Sequence, residues 1–450
     1  MKKKLHRFER LGEQYIEAQH ESGLKIMICP KPDFTSSYAL FGTRYGSTDT
    51  LFRLQGEKEF STIPEGTAHF LEHKLFENED GSDAFAQFSQ YGADANAYTT
   101  YNRTAYLFSA TERVGEALRE LLTFVTHPYF TEKTVKKEQG IIAEEIREGR
   151  DDPWDRCYGN MVRGLYEKNP VRFDVCGSEE SIARITPELL YECCRVFYHP
   201  SNMALVVCGD VTPELVEEAV DAILPASESV SIPVRKKIPE EPARAYRARV
   251  SEQMQVAKPL FAIGFKDPCV SPDPLIRIRR DAAMTLLDEI LFSRSGVFYN
   301  RLFEEGLLTQ SFDAGYSCSD TFGFNGLFGE SEDPERVLSR LTDYLDEVKR
   351  KGIDRETFAR CRSVLYADEI RAYDSTDEIA NRLLSFVFDG AEIFDYPSLL
   401  QSITPEELER LLDEVYREEY RTLSVILPRS AEAEKVSLEQ NEKGSLHRAD

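Results

Sequence analysis

His69 and His73 stand four residues apart in the stretch Gly66-Thr-Ala-His-Phe-Leu-Glu-His-Lys-Leu-Phe76, with Glu72 between them. On a helix, positions i, i+3 and i+4 share one face, so two imidazoles and one carboxylate turn toward a single small volume. Two imidazoles can hold a zinc ion, and a carboxylate that stays off the metal can serve as base toward a water beside it. The order is HxxEH, the reverse of the HExxH of other zinc hydrolases. The chain has seven histidines, and two of them fall in this one turn. Their flanks, Phe70, Leu71, Leu75 and Phe76, are apolar enough to bury the helix. Buried imidazoles need polar partners, and a metal supplies one.

Two histidines and a water leave tetrahedral zinc one ligand short, which calls for a carboxylate on another element. The segment from Glu138 to Glu148 is rich in them. Glu138 and Glu145 are two helical turns apart and share a face, with Ile141 and Ile142 between them. Glu144 and Glu148 are the alternatives. Glu144 reads better as a solvated acid paired with Arg147 on its own helix.

The elements that must position these groups are a mixture of strands and helices. Residues 23–29, 37–46, 96–101, 104–110 and 202–209 read as strands. Residues 66–76, 83–91, 113–124 and 131–147 read as helices. Thr212 and Pro213 look like the N-cap and first residue of another helix. A second half repeats the order, with strands at 260–265 and 322–328 and helices at 279–292, 334–350 and 355–371. Ala68–Phe76 lies on Met284–Phe292 without a gap, which puts the histidines on Thr285 and Glu289 and the base on Asp288. Thr134–Ile146 lies on Thr357–Ile370 with a one-residue slip. The metal chemistry therefore belongs to the first half, and the shared order indicates duplication. The expected division is a zinc-binding half over 1–228, a linker over 229–257, a homologous half without ligands over 258–430, and a disordered polar tail over 431–450.

With these motifs in view, the chain resembles the pitrilysin/insulinase/mitochondrial-processing-peptidase family of inverted-motif zinc peptidases, most of all its short bacterial members. The resemblance is carried by His69-Phe-Leu-Glu-His73, Asn96-Ala-Tyr-Thr-Thr100, Glu138-Gln-Gly-Ile-Ile-Ala-Glu-Glu145, and Tyr198-His-Pro-Ser-Asn-Met203 with the strand that follows it. It implies an α+β fold of two homologous α/β-sandwich halves closing as a clamshell, the layout shared by LuxS and the processing peptidases. It implies Zn2+ held by His69, His73 and Glu145, Glu72 as the general base, and Glu138 as an acid that orients a ligand or the water. It also implies that Asn96, Ala97, Tyr98 and Thr99 lie on an edge strand that an extended peptide joins as a further strand. From composition alone, the same residues fit an interior strand.

One departure stands out. Family members carry an Arg and a Tyr seven residues apart in the second half, which hold the substrate. Here Tyr316 is the candidate tyrosine, but Thr309 stands seven residues before it and the nearest upstream arginine is Arg301. The expectation is a zinc-bearing subunit whose Arg/Tyr pair comes from a homologous partner, or a homodimer. The rival readings are a non-catalytic scaffold homologue in a larger assembly and a zinc amidase acting on a small molecule.

Bulk properties narrow the field further. A formal charge of −24 over 450 residues excludes general nucleic-acid binding. No apolar run suits a signal peptide or a membrane span. Nine scattered cysteines without a CxxC read as buried, reduced thiols of a cytoplasmic protein rather than a disulfide framework. No glycine-rich phosphate-binding motif follows a strand.

Overall fold

The computed structural model describes residues 1–54, 58–79, 81–224, 234–236 and 238–429. The expected disordered tail over 431–450 lies outside the described residues, as do residues 225–233. The first half begins with β1 (Lys2–Phe8), β2 (Glu13–Gln19), β3 (Lys25–Pro30), β4 (Ser37–Thr43), β5 (Leu51–Leu54) and β6 (Ser61–Thr62). It continues through α1 (Thr67–Leu75), α2 (Ala84–Gln90), β7 (Ala93–Thr99), β8 (Thr104–Ala110), α3 (Val114–Thr126), α4 (Glu132–Asp151) and α5 (Pro153–Leu165). It closes with α6 (Glu179–Ile182), α7 (Pro187–Phe197), β9 (Met203–Gly209) and α8 (Pro213–Ile223).

The second half holds β10 (Val234–Lys236), β11 (Arg249–Met254), β12 (Leu260–Lys266), α9 (Pro274–Phe292), α10 (Val297–Glu304), β13 (Asp313–Cys318) and β14 (Gly323–Glu330). Then follow α11 (Pro334–Lys351), α12 (Arg355–Arg371), α13 (Thr376–Asp389), α14 (Tyr396–Ser402), α15 (Pro405–Val415) and β15 (Arg421–Pro428).

Among the described residues the first sheet has the order β1-β2-β3-β9-β4-β8-β7 and the second β11-β15-β12-β14-β13. The last five strands of the first sheet match the second in order and direction. In each, one parallel pair (β3 with β9, β11 with β15) leads into antiparallel neighbours. This is the α+β, two-half fold that the duplication led us to expect. The span read as a linker, 229–257, is more structured than expected. β10 pairs with β5, and β11 pairs with β15, so the second sheet begins at Arg249. Between them Glu241 accepts the backbone N–H groups of Glu167, Lys168 and Asn169 and pairs with Lys266.

The central strands alternate between two cores. On β9, Leu205 and Val207 face the helices of their own half, with Phe41, Phe70 and Leu121. Ala204, Val206 and Cys208 face the other way, onto Ile379, Leu383, Leu384 and Val387 of α13. The second sheet mirrors this: Phe261, Ile263 and Phe265 pack on their own helices, while Leu260 and Ala262 pack on Cys157, Met161 and Leu165 of α5. The halves thus exchange helices, α5 lying on the second sheet and α13 on the first. Covering both faces explains why these strands are unbroken apolar runs. The exchange is close-fitting. A Cβ at Gly264 would lie 2.7 Å from Met161 Cγ, and one at Gly42 would lie 2.8 Å from Leu384 Cδ2.

Candidate metal centre

α1 carries the HxxEH residues. Phe70, Leu71 and Leu75 are buried in the first core and fix the helix against the sheet. Lys74 is also fully buried and pairs with Glu77. α4 starts at a capping box between Thr131 and Thr134. Its buried stripe runs Val135, Glu138, Ile142, Ile146, so Glu138 is turned inward with the apolar residues. Glu145 sits at the margin of that stripe, half-buried.

The two helices bring the expected residues together. His69 Nε2 is 3.5 Å from Glu145 Oε1, and His73 Nε2 is 3.6 Å from Glu145 Oε2. The imidazole centroids are 4.6 Å apart. Glu138 Oε1 lies 3.1 Å from His73 Nδ1. Accepting a proton there leaves Nε2 as a lone pair facing Glu145, the tautomer a metal requires. Glu72 is held from another side, its Oε2 accepting the Thr99 hydroxyl at 2.6 Å. Glu144 pairs with Arg147 and is exposed, as is Glu148.

The electrostatics suit a cation. Burial disfavours charge on His73, but the Glu138 hydrogen bond and the charges of Glu145, Glu138 and Glu72 outweigh it and raise its pKa. The hydrogen bond to His69 holds Glu145 below the usual carboxylate range against the opposing effect of burial. Glu145 Oε2 and His69 Nδ1 are buried atoms without a hydrogen-bond partner. An orphaned carboxylate oxygen between two imidazoles is costly unless a cation completes it. Two imidazoles and a carboxylate are a donor set that zinc takes.

The structure adds a residue that the sequence reading missed. Cys176 Sγ lies 3.9 Å from His69 Nε2 and 3.8 Å from Glu145 Oε1. His69, Glu145 and Cys176 form the described group whose ligand atoms all lie within 4.8 Å of one another. His73 joins it through Glu145. Cys176 arrives there because two backbone segments touch. Gly66, the N-cap of α1, and Gly177 both adopt positive φ, at 86° and 77°. A Cβ on Gly66 would lie 2.4 Å from the Cys176 carbonyl, and one on Gly177 would lie 2.5 Å from that of Glu65. Burial first, then the charges of Glu145 and Asp174, push the thiol's pKa up. No spacing rule links positions 69 and 176; the only local sign was a cysteine beside a glycine.

β7 is one of the two edge strands of the first sheet, with β1 at the far edge. The Ala97 N–H is bonded to Asn96 Oδ1 at 2.8 Å, so it does not serve the β7–β8 ladder and faces the free edge. A cavity of ≈ 420 Å³ opens here, lined by Glu72, His73, Phe76, Asn96, Ala97 and Glu138 among others. Tyr98 points elsewhere. Its hydroxyl donates to Asn381 Oδ1 on α13 at 2.9 Å, because alternate residues of a strand face opposite sides of the sheet. Thr99 faces Glu72. Tyr316 lies on β13, the edge of the second sheet, and donates to Asp267 Oδ2 at 2.7 Å. That carboxylate is also held by Arg280, so the hydroxyl serves the second half's own packing. Arg301 is committed to Glu347. The second half's counterpart of Glu72, Asp288, is sealed in by Asn325 and Tyr416.

Sequence comparison agrees with this geometry. The profile of the insulinase family, peptidase family M16, matches residues 62–177, and that of the "Peptidase M16 inactive domain" matches 184–365. The chain is 36% identical over 430 residues to the uncharacterised zinc protease YmfH of Bacillus subtilis, spanning 94% of this chain and 99% of that one. The chain belongs to peptidase family M16. Among solved structures, an M16-like peptidase from Alicyclobacillus acidocaldarius superposes with a TM-score of 0.88 at 34% identity, over 93% of this M16 chain and 99% of the other. Pitrilysin, 14% identical, shares the fold at a TM-score of 0.73, with 94% of this chain taking up 46% of that one.

All nine cysteines are free. Six are buried as expected, but Cys176 and Cys318 are half-buried and Cys269 is exposed, since these three lie in or next to loops at the margins of the cores. No described helix is long and apolar enough to cross a membrane.

Proposed function

We propose that this chain is a zinc-dependent endopeptidase that hydrolyses peptides bound in extended form within a chamber between its halves. The observation that carries the reading is the approach of His69 and His73 to the two carboxylate oxygens of Glu145, with Glu72 beside them and held by Thr99 from an edge strand. When bound there, zinc supplies Lewis-acid polarisation of a carbonyl and lowers the pKa of water toward neutrality.

The chain's own residues do the rest. Glu138 holds His73 by Nδ1 and so fixes the ring's tautomer and orientation. Glu72, kept off the ligand set by the Thr99 hydroxyl, takes a proton from the attacking water and returns it to the leaving amine. The outward backbone of β7 at Ala97 exchanges its bond to Asn96 for a bond to the substrate strand, which gives affinity with little sequence preference.

The second half's candidates for the Arg/Tyr pair are engaged elsewhere, Tyr316 with Asp267 and Arg301 with Glu347. A homologous subunit supplying that pair is therefore part of the proposal. The pitrilysin chain, which this one fills to less than half, is long enough for a second such unit and supports it. The test is metal analysis of the purified chain, joined to a peptide-cleavage assay with and without a homologous M16 subunit. The expected result is about one zinc per chain, slow cleavage alone, and a gain of about 10²–10³ on adding the subunit, the usual worth of a donor to the developing oxyanion. Metal-free chains, or fast cleavage by the lone chain, would overturn the respective clause.

A further inference from the structure

The thiol of Cys176 reaches two of the three expected ligands, His69 and Glu145. Tetrahedral zinc with bonds of about 2.0–2.3 Å places its donor atoms roughly 3.3–3.8 Å apart. The distances here are 3.5 Å from His69 to Glu145, 3.6 Å from His73 to Glu145, 3.8 Å from Cys176 to Glu145, and 3.9 Å from Cys176 to His69. Sulfur thus stands at about a donor's separation from His69 and Glu145, and the three ligand atoms lie within 4.8 Å of one another. Its place is set by the backbone contact between Gly66 and Gly177, the same contact that starts α1.

We propose that Cys176 is a fourth side-chain donor to this centre and occupies the position that a hydrolytic water needs. This rests on the reading of His69, His73 and Glu145 as metal ligands, and goes beyond it. Structural zinc sites are closed by four side chains, whereas catalytic ones keep a position open. A thiol that binds gives a sulfur lone pair to the metal and releases its proton to solvent. The resting chain is then latent, and it opens when the Asp174–Gly177 loop moves or when the sulfur is blocked.

The decisive experiment is cobalt substitution of the full chain, read by absorption. Tetrahedral cobalt shows visible ligand-field bands, and a thiolate ligand adds a near-ultraviolet sulfur-to-cobalt charge-transfer band. The wild-type protein should show both sets, and Cys176→Ser should keep the visible bands and lose the charge-transfer band. Visible bands alone in the wild-type chain would refute the role of Cys176 and leave the other ligands standing. Absence of any cobalt spectrum would remove the metal reading itself, and this proposal with it. Since the wild-type spectrum decides the matter, the test does not depend on how well the variant folds.

A second readout concerns latency. If the closed arrangement outweighs the open one about tenfold, Cys176→Ala loaded with zinc should cleave peptides roughly tenfold faster. Unchanged or lower turnover in a variant with full zinc content would overturn the latency clause.

Discussion

At the scale of single residues, the proposed peptidase would separate groups that hold a metal from one that moves protons. Glu72 accepts the Thr99 hydroxyl and acts on His73 through its charge. Glu72→Gln should therefore keep its zinc and lose turnover by about 10²–10⁴, the usual worth of a general base. Metal content and kcat measured on one preparation check this, and loss of zinc in the variant would show that Glu72 also helps to hold the ion. The counterpart Asp288 illustrates the opposite fate of an acid on this helix face. Burial pushes its carboxyl up to about 7, despite hydrogen bonds from Tyr416 and Asn325. A folded pKa above the unfolded one means that its contribution to stability is complete below about pH 4 and is lost as pH rises through about 7. Asp288→Asn fixes the neutral form, so its stability relative to the parent should improve by about 3 kcal/mol between about pH 5 and pH 8. Urea unfolding at both pH values tests this, and an equal difference at the two would contradict it. The proximity of these residues was legible because their pattern is local: His69, Glu72 and His73 share one turn, and Glu138 and Glu145 share one helix. Cys176 was hidden because a loop contact made through two glycines leaves no periodic trace. The partners of Tyr98 and Tyr316, Asn381 and Asp267, were not legible, because a strand's sequence does not say which face meets which neighbour.

At the scale of elements, helices and central strands fell close to their expected places, since long amphipathic stretches and unbroken apolar runs have distinct periods. The helix expected at 131–147 is α4 at Glu132–Asp151, and the strand expected at 260–265 is β12 at Leu260–Lys266. Short edge elements escaped. β11 looks like a charged linker because it lies on the rim, with Arg249, Ser251 and Gln253 exposed. What no periodicity could reveal was the target of α5 and α13, because an amphipathic helix encodes a buried face and not the sheet it will meet. The fit of α5 is testable. Gly264→Ala drives a methyl into Met161 and Leu165 and should cost about 1–3 kcal/mol, the range for overpacking. Gly315→Ala, whose methyl would meet nothing within 4 Å, is the control. Equal unfolding midpoints for the two variants would mean that the α5 contact is soft.

At the scale of the whole molecule, neither half is complete without the other. Residues 1–224 alone would leave Leu40, Val206 and Cys208 facing water in place of α13, and would leave the buried face of α5 without its sheet. Apolar faces of this kind lead to association in isolated domains. Expressed alone, each half should aggregate, whereas co-expressed 1–230 and 231–450 should assemble into a soluble pair. A monomeric, cooperatively folding 1–224 fragment would show that the exchange is dispensable. Duplication was visible in the sequence through Ala68–Phe76 and Met284–Phe292, but mutual dependence was not, since equal halves can also sit side by side.

The junction between α4 and α5 has a mechanical meaning. Asp152 alone separates the helix that carries Glu138 and Glu145 from the helix anchored on the opposite sheet. The chain has no slack there, so α4 works as a lever with its fulcrum at that aspartate. A tilt of the second sheet would pass through this arm to Glu145, and the distances from Glu145 to His69 and His73 would follow the posture of the entire clamshell.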